Sequence, residues 1–194
     1  MTPPRTLLSL LFLAGSGCAD VERDHDHHDH ELISTVALLF THSEDGTTQA
    51  VSWTEADGQS DDILLTSDAS YRLSVSFLNE YEDPADDITD EVRDEAEEHQ
   101  VFYTGTAVTD GFVEVSYEDS DPNGLPLGLE TTVVTTAQGS SELTVTLRHM
   151  PPEDGAPVKR DDMAEDVAEG GLQALAGEGA NDVSVDFSLA VGSD

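Results

Sequence analysis

The residue types best suited to bind a metal ion lie close together near the N-terminus, in the stretch DHDHHDHE (24–31). Its four histidines are His25, His27, His28 and His30. Neutral imidazole is a good ligand for zinc, copper and nickel. A short polar segment can fold two or three such rings around one ion, with modest affinity because no scaffold fixes them. The stretch therefore predicts binding of Zn²⁺, and the alternative is a solvated linker that binds metal only adventitiously.

A second candidate is the oxygen-rich stretch DSDPNGLPLGLE (119–130). Four of its residues match ligand positions of a calcium-binding loop, with a glycine at the sharp turn: Asp119, Asp121, Asn123 and Glu130. The flanks predict strands rather than helices and Pro126 interrupts the template, so this is not an EF-hand. Two alternatives remain open. The stretch binds Ca²⁺, or it is a tight turn whose carboxylates accept hydrogen bonds from backbone N–H groups.

The third candidate belongs to a predicted acidic helix over 86–100, which Asp86 or Asp87 can cap. Its apolar face carries Ile88, Val92, Ala96 and His99. Glu95 and His99 lie one turn apart on this helix, and such a pair can share one metal ion. The alternative is that His99 is a packed side chain. His149 ends a later predicted strand and could be a third ligand, but the sequence does not place it near His99.

The charge balance restricts the possible partners. The 194 residues include 42 acidic and 7 basic side chains, for a formal net charge of −35. Such a chain repels nucleic acid and attracts cations, although an acidic surface also serves solubility or adaptation to salt. The acidic helix could in addition bind a basic protein partner. The sequence contains no nucleophile elbow, zinc-protease helix, phosphate loop or dinucleotide-binding glycines, which predicts a non-enzymatic protein.

The first 17 residues have the layout of a secretory signal peptide: Arg5, an apolar run over 7–14, then small residues. The only cysteine, Cys18, follows directly, which resembles a bacterial lipoprotein signal in which that thiol is lipidated. Gly15 stands where such signals usually carry leucine. We expect a chain anchored to the cell envelope through Cys18, in the outer membrane of a Gram-negative bacterium, with 18–31 as a tether. The alternative is a secreted protein with a free thiol.

The remaining sequence, 32–194, predicts one mostly β domain. Hydrophobic residues cluster in runs of strand period, most regularly in YRLSVSFLN (71–79) and DVSVDFSLAV (182–191). The predicted strands are 32–40, 47–53, 62–66, 71–79, 101–108, 112–119, 129–137, 141–150 and 182–191. A hairpin turn is predicted at 138–141, and a helix over 162–177 broken at Gly170 and Gly171. This pattern favours an antiparallel β-sandwich, Ig-like or transthyretin-like, with one inserted acidic helix and an irregular insert at 151–181 of no assigned role.

Three blocks carry a resemblance to a known family: FLNEYEDPADDITDEVRDEAEEHQVFY (77–103), YEDSDPNGLPLGLETT (117–132) and LTVTLRHMP (143–151). Together with the signal-like segment and acidic tether, they resemble bacterial envelope lipoproteins that often carry the label "type 1 periplasmic binding fold superfamily protein". The resemblance implies a place in the cell envelope and implies no activity. That label names a fold of two α/β lobes, whereas the strand-rich pattern of this chain predicts a mostly β fold.

The expected function combines these features. We expect a lipid-anchored, non-enzymatic envelope protein that binds divalent metal ions, zinc above all, and passes them to an envelope metal transporter. The first alternative is a structural or interaction module that binds a basic partner and has a calcium-stabilised loop. The second is a sandwich that binds a small ligand in an apolar pocket with a few convergent polar groups.

Overall fold

The computed structural model describes residues 32–193. The signal segment, Cys18 and the four tether histidines therefore lie outside the described residues. Strands make up 48% and helices 14%, which confirms the mostly β class. Among residues 32–193, none of the helices is long and apolar enough to span a bilayer.

The described strands are β1 (Thr35–His42), β2 (Thr48–Thr54), β3 (Gln59–Ser60), β4 (Ile63–Thr66), β5 (Ser70–Asn79), β6 (Asp86–Asp87), β7 (His99–Thr104), β8 (Val113–Tyr117), β9 (Glu130–Thr135), β10 (Gly139–His149) and β11 (Ala180–Gly192). The helices are α1 (Ile88–Asp94), α2 (Thr106–Thr109) and α3 (Met163–Gly170), and a 3₁₀ helix follows at Leu172–Leu175.

The strands form two sheets. The first has the order β3-β2-β1-β5-β9-β8, with β6 added to β5, and the second has the order β4-β11-β10-β7. Every pairing is antiparallel except the parallel pairing of β4 with β11. The two sheets share one hydrophobic core, an arrangement consistent with a β-sandwich.

Alternation of apolar and polar residues explains which faces meet in this core. In β5, the buried side chains are those of Tyr71, Leu73, Val75 and Phe77. In β11, Val185, Phe187, Leu189 and Val191 are buried in the same way. Each large apolar side chain taken out of water contributes about 1.5–3 kcal/mol. The two runs with the strictest period in the sequence are therefore one strand from each sheet.

The segment between β10 and β11 covers the opposite face of the second sheet. Phe102 and Met150 pack there against Met163, Val167 and Leu175, in a second apolar cluster. The Arg148 guanidinium adds polar contacts on this side: it donates to the carbonyls of Leu175, Glu178 and Gly179 and to Asn181 Oδ1. The 151–181 insert is therefore a packed layer of the fold. Its helix ends at Gly170, where the sequence predicts a break, and Gly171 follows at φ +68.

Two predicted boundaries near the candidate sites are wrong. The helix predicted over 86–100 begins as expected, with Asp87 accepting the N–H of Thr89, but it ends at Asp94. His99 begins β7 instead, because pairing with β10 replaces helical hydrogen bonds. Glutamates after Asp94 would also have opposed the helix dipole. The strand predicted over 101–108 ends at Thr104, where Gly105 at φ +88 leads into α2.

The hairpin predicted at 138–141 is also wrong. Strand β9 pairs with β5 and β8 in the first sheet, whereas β10 pairs with β7 and β11 in the second. The chain at 136–138 is therefore a crossover between sheets. Gly139 follows this crossover and packs closely on a neighbouring side chain rather than forming a hairpin turn. A Cβ on Gly139 would lie 2.7 Å from the Phe112 ring.

Strand β7 lies at the edge of the second sheet, and the chain over 117–128 covers that edge. The N–H of Val101 donates to the carbonyl of Leu127 at 2.7 Å, and the Tyr117 hydroxyl donates to the carbonyl of Val101 at 2.9 Å. Such cover satisfies backbone groups that an open edge would expose. At Gly128 (φ +90) an added Cβ would lie 2.7 Å from the Val101 carbonyl oxygen.

This close approach gives a prediction with an internal control. Gly124 in the same loop has a similar φ of +85, but a Cβ there would meet open space. We expect Gly124→Ala to lower the free energy of unfolding by about 1 kcal/mol, from backbone strain alone. Gly128→Ala adds a clash with backbone. It should therefore lower the free energy of unfolding by about 1–3 kcal/mol more than Gly124→Ala does. Urea unfolding measures both, and equal losses would mean that the loop does not pack tightly on β7.

Candidate metal centre

Three side chains that the sequence proposed as possible ligands come together at one end of the second sheet. His99 is the first residue of β7 and His149 the last of β10, and the two are directly paired across the strands. Their rings stack with centroids 4.6 Å apart and planes 10° from parallel. Glu95 is the C-cap residue of α1, four residues before His99. Metal-ligating atoms of Glu95, His99 and His149 all lie within 4.8 Å of one another.

A tight turn keeps Glu95 close to His99 although the two do not share a helix. The N–H of Glu98 donates to the carbonyl of Glu95 at 2.9 Å, and His99 Nδ1 lies 3.2 Å from the same oxygen. A carbonyl only accepts hydrogen bonds, so the neutral His99 ring carries its proton on Nδ1. Nε2 is then the nitrogen whose lone pair can bind a cation. Metal-binding histidines are commonly oriented by such a bond from the other ring nitrogen.

His99 is held in its neutral form by its surroundings. Its side chain is 1% exposed. The pKa of His99 lies at about 4, below its ordinary 6.5, mainly because burial disfavours the imidazolium and secondarily because His149 lies close. Metal ions bind the neutral imidazole, so no proton has to be displaced from this ring near pH 7.

His149 is the more accessible of the two rings. Its side chain is 18% exposed, and its Nε2 lies 3.5 Å from Glu98 Oε2. The lone pairs of two parallel rings lie in parallel planes, whereas a single ion requires them to converge. Binding by both histidines therefore requires one ring to tilt. The partly exposed His149 has more room to do so than His99.

An aspartate from β11 also reaches this cluster. Asp182 Oδ2 lies 3.8 Å from His99 Nε2, and both side chains are 1% exposed. The sequence offers little warning of this contact, since Asp182 is one of 42 acidic residues and is distant along the chain.

The predicted calcium loop has a different arrangement. Asp119 Oδ1 accepts the N–H of Gly128, and Asp119 Oδ2 accepts those of Leu129 and Glu130. Asp121 Oδ1 accepts the N–H groups of Asn123 and Leu125. These contacts are those of the turn that the sequence allowed as the alternative to a calcium site.

The remaining oxygens of the loop contact other side chains. Asn123 donates to Glu97 Oε1 at 2.7 Å, and Glu130 Oε2 accepts from the Ser74 hydroxyl at 2.8 Å. Among residues 32–193, the grouping of three potential metal ligands falls at Glu95, His99 and His149, not in this loop. The arrangement therefore gives no support to the predicted Ca²⁺ site.

A lysine supplies a positive charge beside the loop. Lys159 Nζ lies 3.2 Å from Asp121 Oδ2, with side chains 1% and 0% exposed, and donates to the carbonyl of Ala96 at 2.7 Å. Burial lowers the pKa of Lys159, and the Asp121 charge opposes that shift. This pair joins the insert, the loop and the turn after α1. No motif in the sequence predicts this pair, although Lys159 is the only lysine in the chain.

Comparison with known proteins identifies no relative: no family model, no curated protein and no solved structure matches the chain. The resemblance to envelope lipoproteins therefore stays a prediction. The functional assignment rests on the residues of this chain and their geometry.

The buried ion pair gives a prediction about stability. Lys159→Met leaves the Asp121 charge buried without its ammonium partner, and we expect a loss of about 3–5 kcal/mol in the free energy of unfolding. Lys159→Met combined with Asp121→Asn removes both charges and keeps an oxygen that can accept the two N–H groups. The double variant should be more stable than the single one in urea unfolding. A double variant that is less stable would contradict this account.

The burial of His99 gives a prediction about pH. In metal-free protein, the unfolded chain takes up a proton at this histidine near pH 6.5, whereas the folded chain takes it up only near pH 4. The free energy of unfolding should therefore fall as the pH falls through this window, by up to roughly 3 kcal/mol, and His99 should add no further dependence below it. Urea unfolding with a chelator, at pH 7, 5.5 and 4.5, measures this fall. The free energy of unfolding of His99→Gln should fall less steeply with pH than that of the unchanged chain. Equal slopes would contradict the prediction.

Proposed function

We propose that this chain is a metal-binding protein of the cell envelope, which holds a divalent transition-metal ion at Glu95, His99 and His149. The observation that carries the proposal is the meeting of three potential ligands within 4.8 Å, from the end of α1, the start of β7 and the end of β10. One of the imidazoles is buried and its neutral tautomer is fixed by a backbone carbonyl.

The ligand set favours zinc or a closely similar ion. Two imidazoles and a carboxylate are common zinc ligands, whereas calcium and magnesium prefer oxygen ligands alone. Sites with imidazole ligands also accept cobalt and nickel, and bind copper tightly, so the metal available in the compartment decides the occupant. The high negative charge of the chain raises the local concentration of cations around it.

The envelope part of the proposal rests on the sequence. The signal-like segment 1–17 and Cys18 support a lipid anchor, and the His-rich stretch begins six residues after that cysteine. In this arrangement the tether histidines collect ions near the membrane surface, and the folded domain holds an ion at a second, better-ordered centre. A basic surface on an envelope transporter would complement the acidic domain. The proposed role is binding and transfer rather than catalysis.

The test separates the folded centre from the tether. In the full chain, His25, His27, His28 and His30 are replaced by serine, and zinc binding is measured by calorimetric titration. We expect one zinc ion per chain to remain bound. His149→Ala in this background should weaken binding by at least about 10- to 100-fold, because it removes a direct ligand.

His42 provides the matched control. It also lies beside a carboxylate, with His42 Nδ1 3.1 Å from Asp45 Oδ1, but it lies outside the candidate centre. His42→Ala should leave zinc affinity unchanged. The proposal fails if the tether-substituted chain binds no zinc, or if His149→Ala and His42→Ala have the same effect.

A further inference from the structure

A cavity of about 480 Å³ lies beside β11, and we refer to it as the Trp53 cavity. Its walls are formed by Trp53 near the end of β2, by residues 58–60, which include β3, and by residues 184–186 of β11. Pockets that bind ligands commonly have volumes of about 300–1,000 Å³. The Trp53 cavity shares no lining residue with the candidate metal centre. It is therefore a separate feature of the fold, large enough to take one side chain of a partner.

The edge of β11 that borders this cavity has no partner strand among residues 32–193. On this side β4 pairs only with residues 189–192, while β10 pairs with the opposite side of β11. The carbonyl of Asp186 faces the open side, because the Ser60 hydroxyl donates to it at 2.8 Å. Backbone groups two residues apart on a strand point the same way, so the carbonyl of Ser184 faces this side as well. Backbone acceptors therefore border the cavity.

The side chains around the cavity add an aromatic ring and a carboxylate. Trp53 is packed against the main core but only partly buried, so part of its surface remains accessible. Asp186 is exposed, and its Oδ1 accepts the Thr144 hydroxyl at 2.6 Å. Its Oδ2 makes no hydrogen bond with any residue of 32–193. Within the same part of the chain, none of the lining residues is cationic.

This combination of groups matches a guanidinium ion. A guanidinium is planar, carries five N–H donors and no acceptor, and stacks on aromatic rings. Among aromatic side chains, tryptophan attracts a cation most strongly. A carboxylate binds a guanidinium through charge-assisted hydrogen bonds. An anionic ligand would meet no positive group in the cavity, and the net charge of −35 would repel it.

We propose that the Trp53 cavity binds an arginine side chain of a basic protein partner, with the guanidinium on the ring of Trp53 and hydrogen-bonded to Asp186. Free arginine carries an α-carboxylate that this acidic chain repels, whereas arginine within a peptide lacks that charge. The inference goes beyond the proposed function, because it requires no metal ion. It gives the acidic domain a specific point of contact for a basic partner.

The first test uses Trp53 itself as the reporter. It is the only tryptophan in the chain, so a change in tryptophan fluorescence reports directly on this cavity. The full chain, in a chelator, is titrated with a glycine–arginine–glycine peptide blocked at both ends. The control peptide carries citrulline, which has nearly the shape of arginine but no charge. We expect a saturable change with the arginine peptide and binding at least about 10-fold weaker with the citrulline peptide.

The second test compares two acidic residues of the second sheet. Asp186→Asn removes the carboxylate charge and keeps an oxygen for the Thr144 hydroxyl, and it should weaken binding of the arginine peptide about 3- to 10-fold. Glu142 is exposed on β10 and does not line the cavity, so Glu142→Gln makes the same change in net charge elsewhere. It should change the affinity less than twofold. Urea unfolding of both variants checks that the fold is retained.

Each outcome supports or overturns the proposal. Saturable binding that requires the arginine charge and depends on Asp186 more than on Glu142 supports it. If the arginine peptide gives no saturable change, or the citrulline peptide binds equally well, the cavity does not bind arginine. If Asp186→Asn and Glu142→Gln have equal effects, the peptide is held by the acidic surface in general. The chelator keeps these results independent of zinc binding, so this proposal and the metal centre can fail separately.

Discussion

The antiparallel pairing of β7 with β10 is the contact on which the candidate centre depends. It places His99 opposite His149 at the end of the second sheet. Side chains alternate along a strand, so a shift by one residue would move His99 to the face occupied by Gln100. The same pairing ends the acidic helix early and turns Glu95 back toward the histidines. One register therefore determines how Glu95, His99 and His149 meet in the candidate centre.

The acidic composition makes the few buried cations important to the fold. Lys159 contacts Asp121 and the carbonyl of Ala96, while Arg148 donates to carbonyls of the insert. Lys159 comes from the segment between β10 and β11, and the carbonyls that Arg148 contacts belong to it. That segment also buries Phe102 and Met150. It therefore connects β7, the loop over 117–128 and the turn after α1. The candidate metal centre lies where these segments meet.

Features set by local periodicity were predictable from the sequence. The buried faces of β5 and β11, the cap at Asp87 and the break after Gly170 each depend on residues within a few positions. The end of α1 was not predictable in this way, because Ala96 and His99 satisfy a helical pattern as well as they satisfy burial beside a strand. The crossover at 136–138 also depends on which sheet each strand joins. The meeting of His99 with His149, fifty residues away, and of His99 with Asp182 requires the assembled fold.

The two groups of acids show why spacing alone did not separate a turn from a metal centre. Asp119 and Asp121 have calcium-like spacing, yet their oxygens receive five backbone N–H groups and Lys159. Glu95 and His149 share no motif in the sequence. They nevertheless meet at His99, whose ring is neutral because it is buried. A carboxylate surrounded by N–H donors already has its charge compensated, so the loop gains little from a cation. The neighbours of each carboxylate, rather than the interval between acids, therefore favour the end of β7 over the loop as the candidate metal centre.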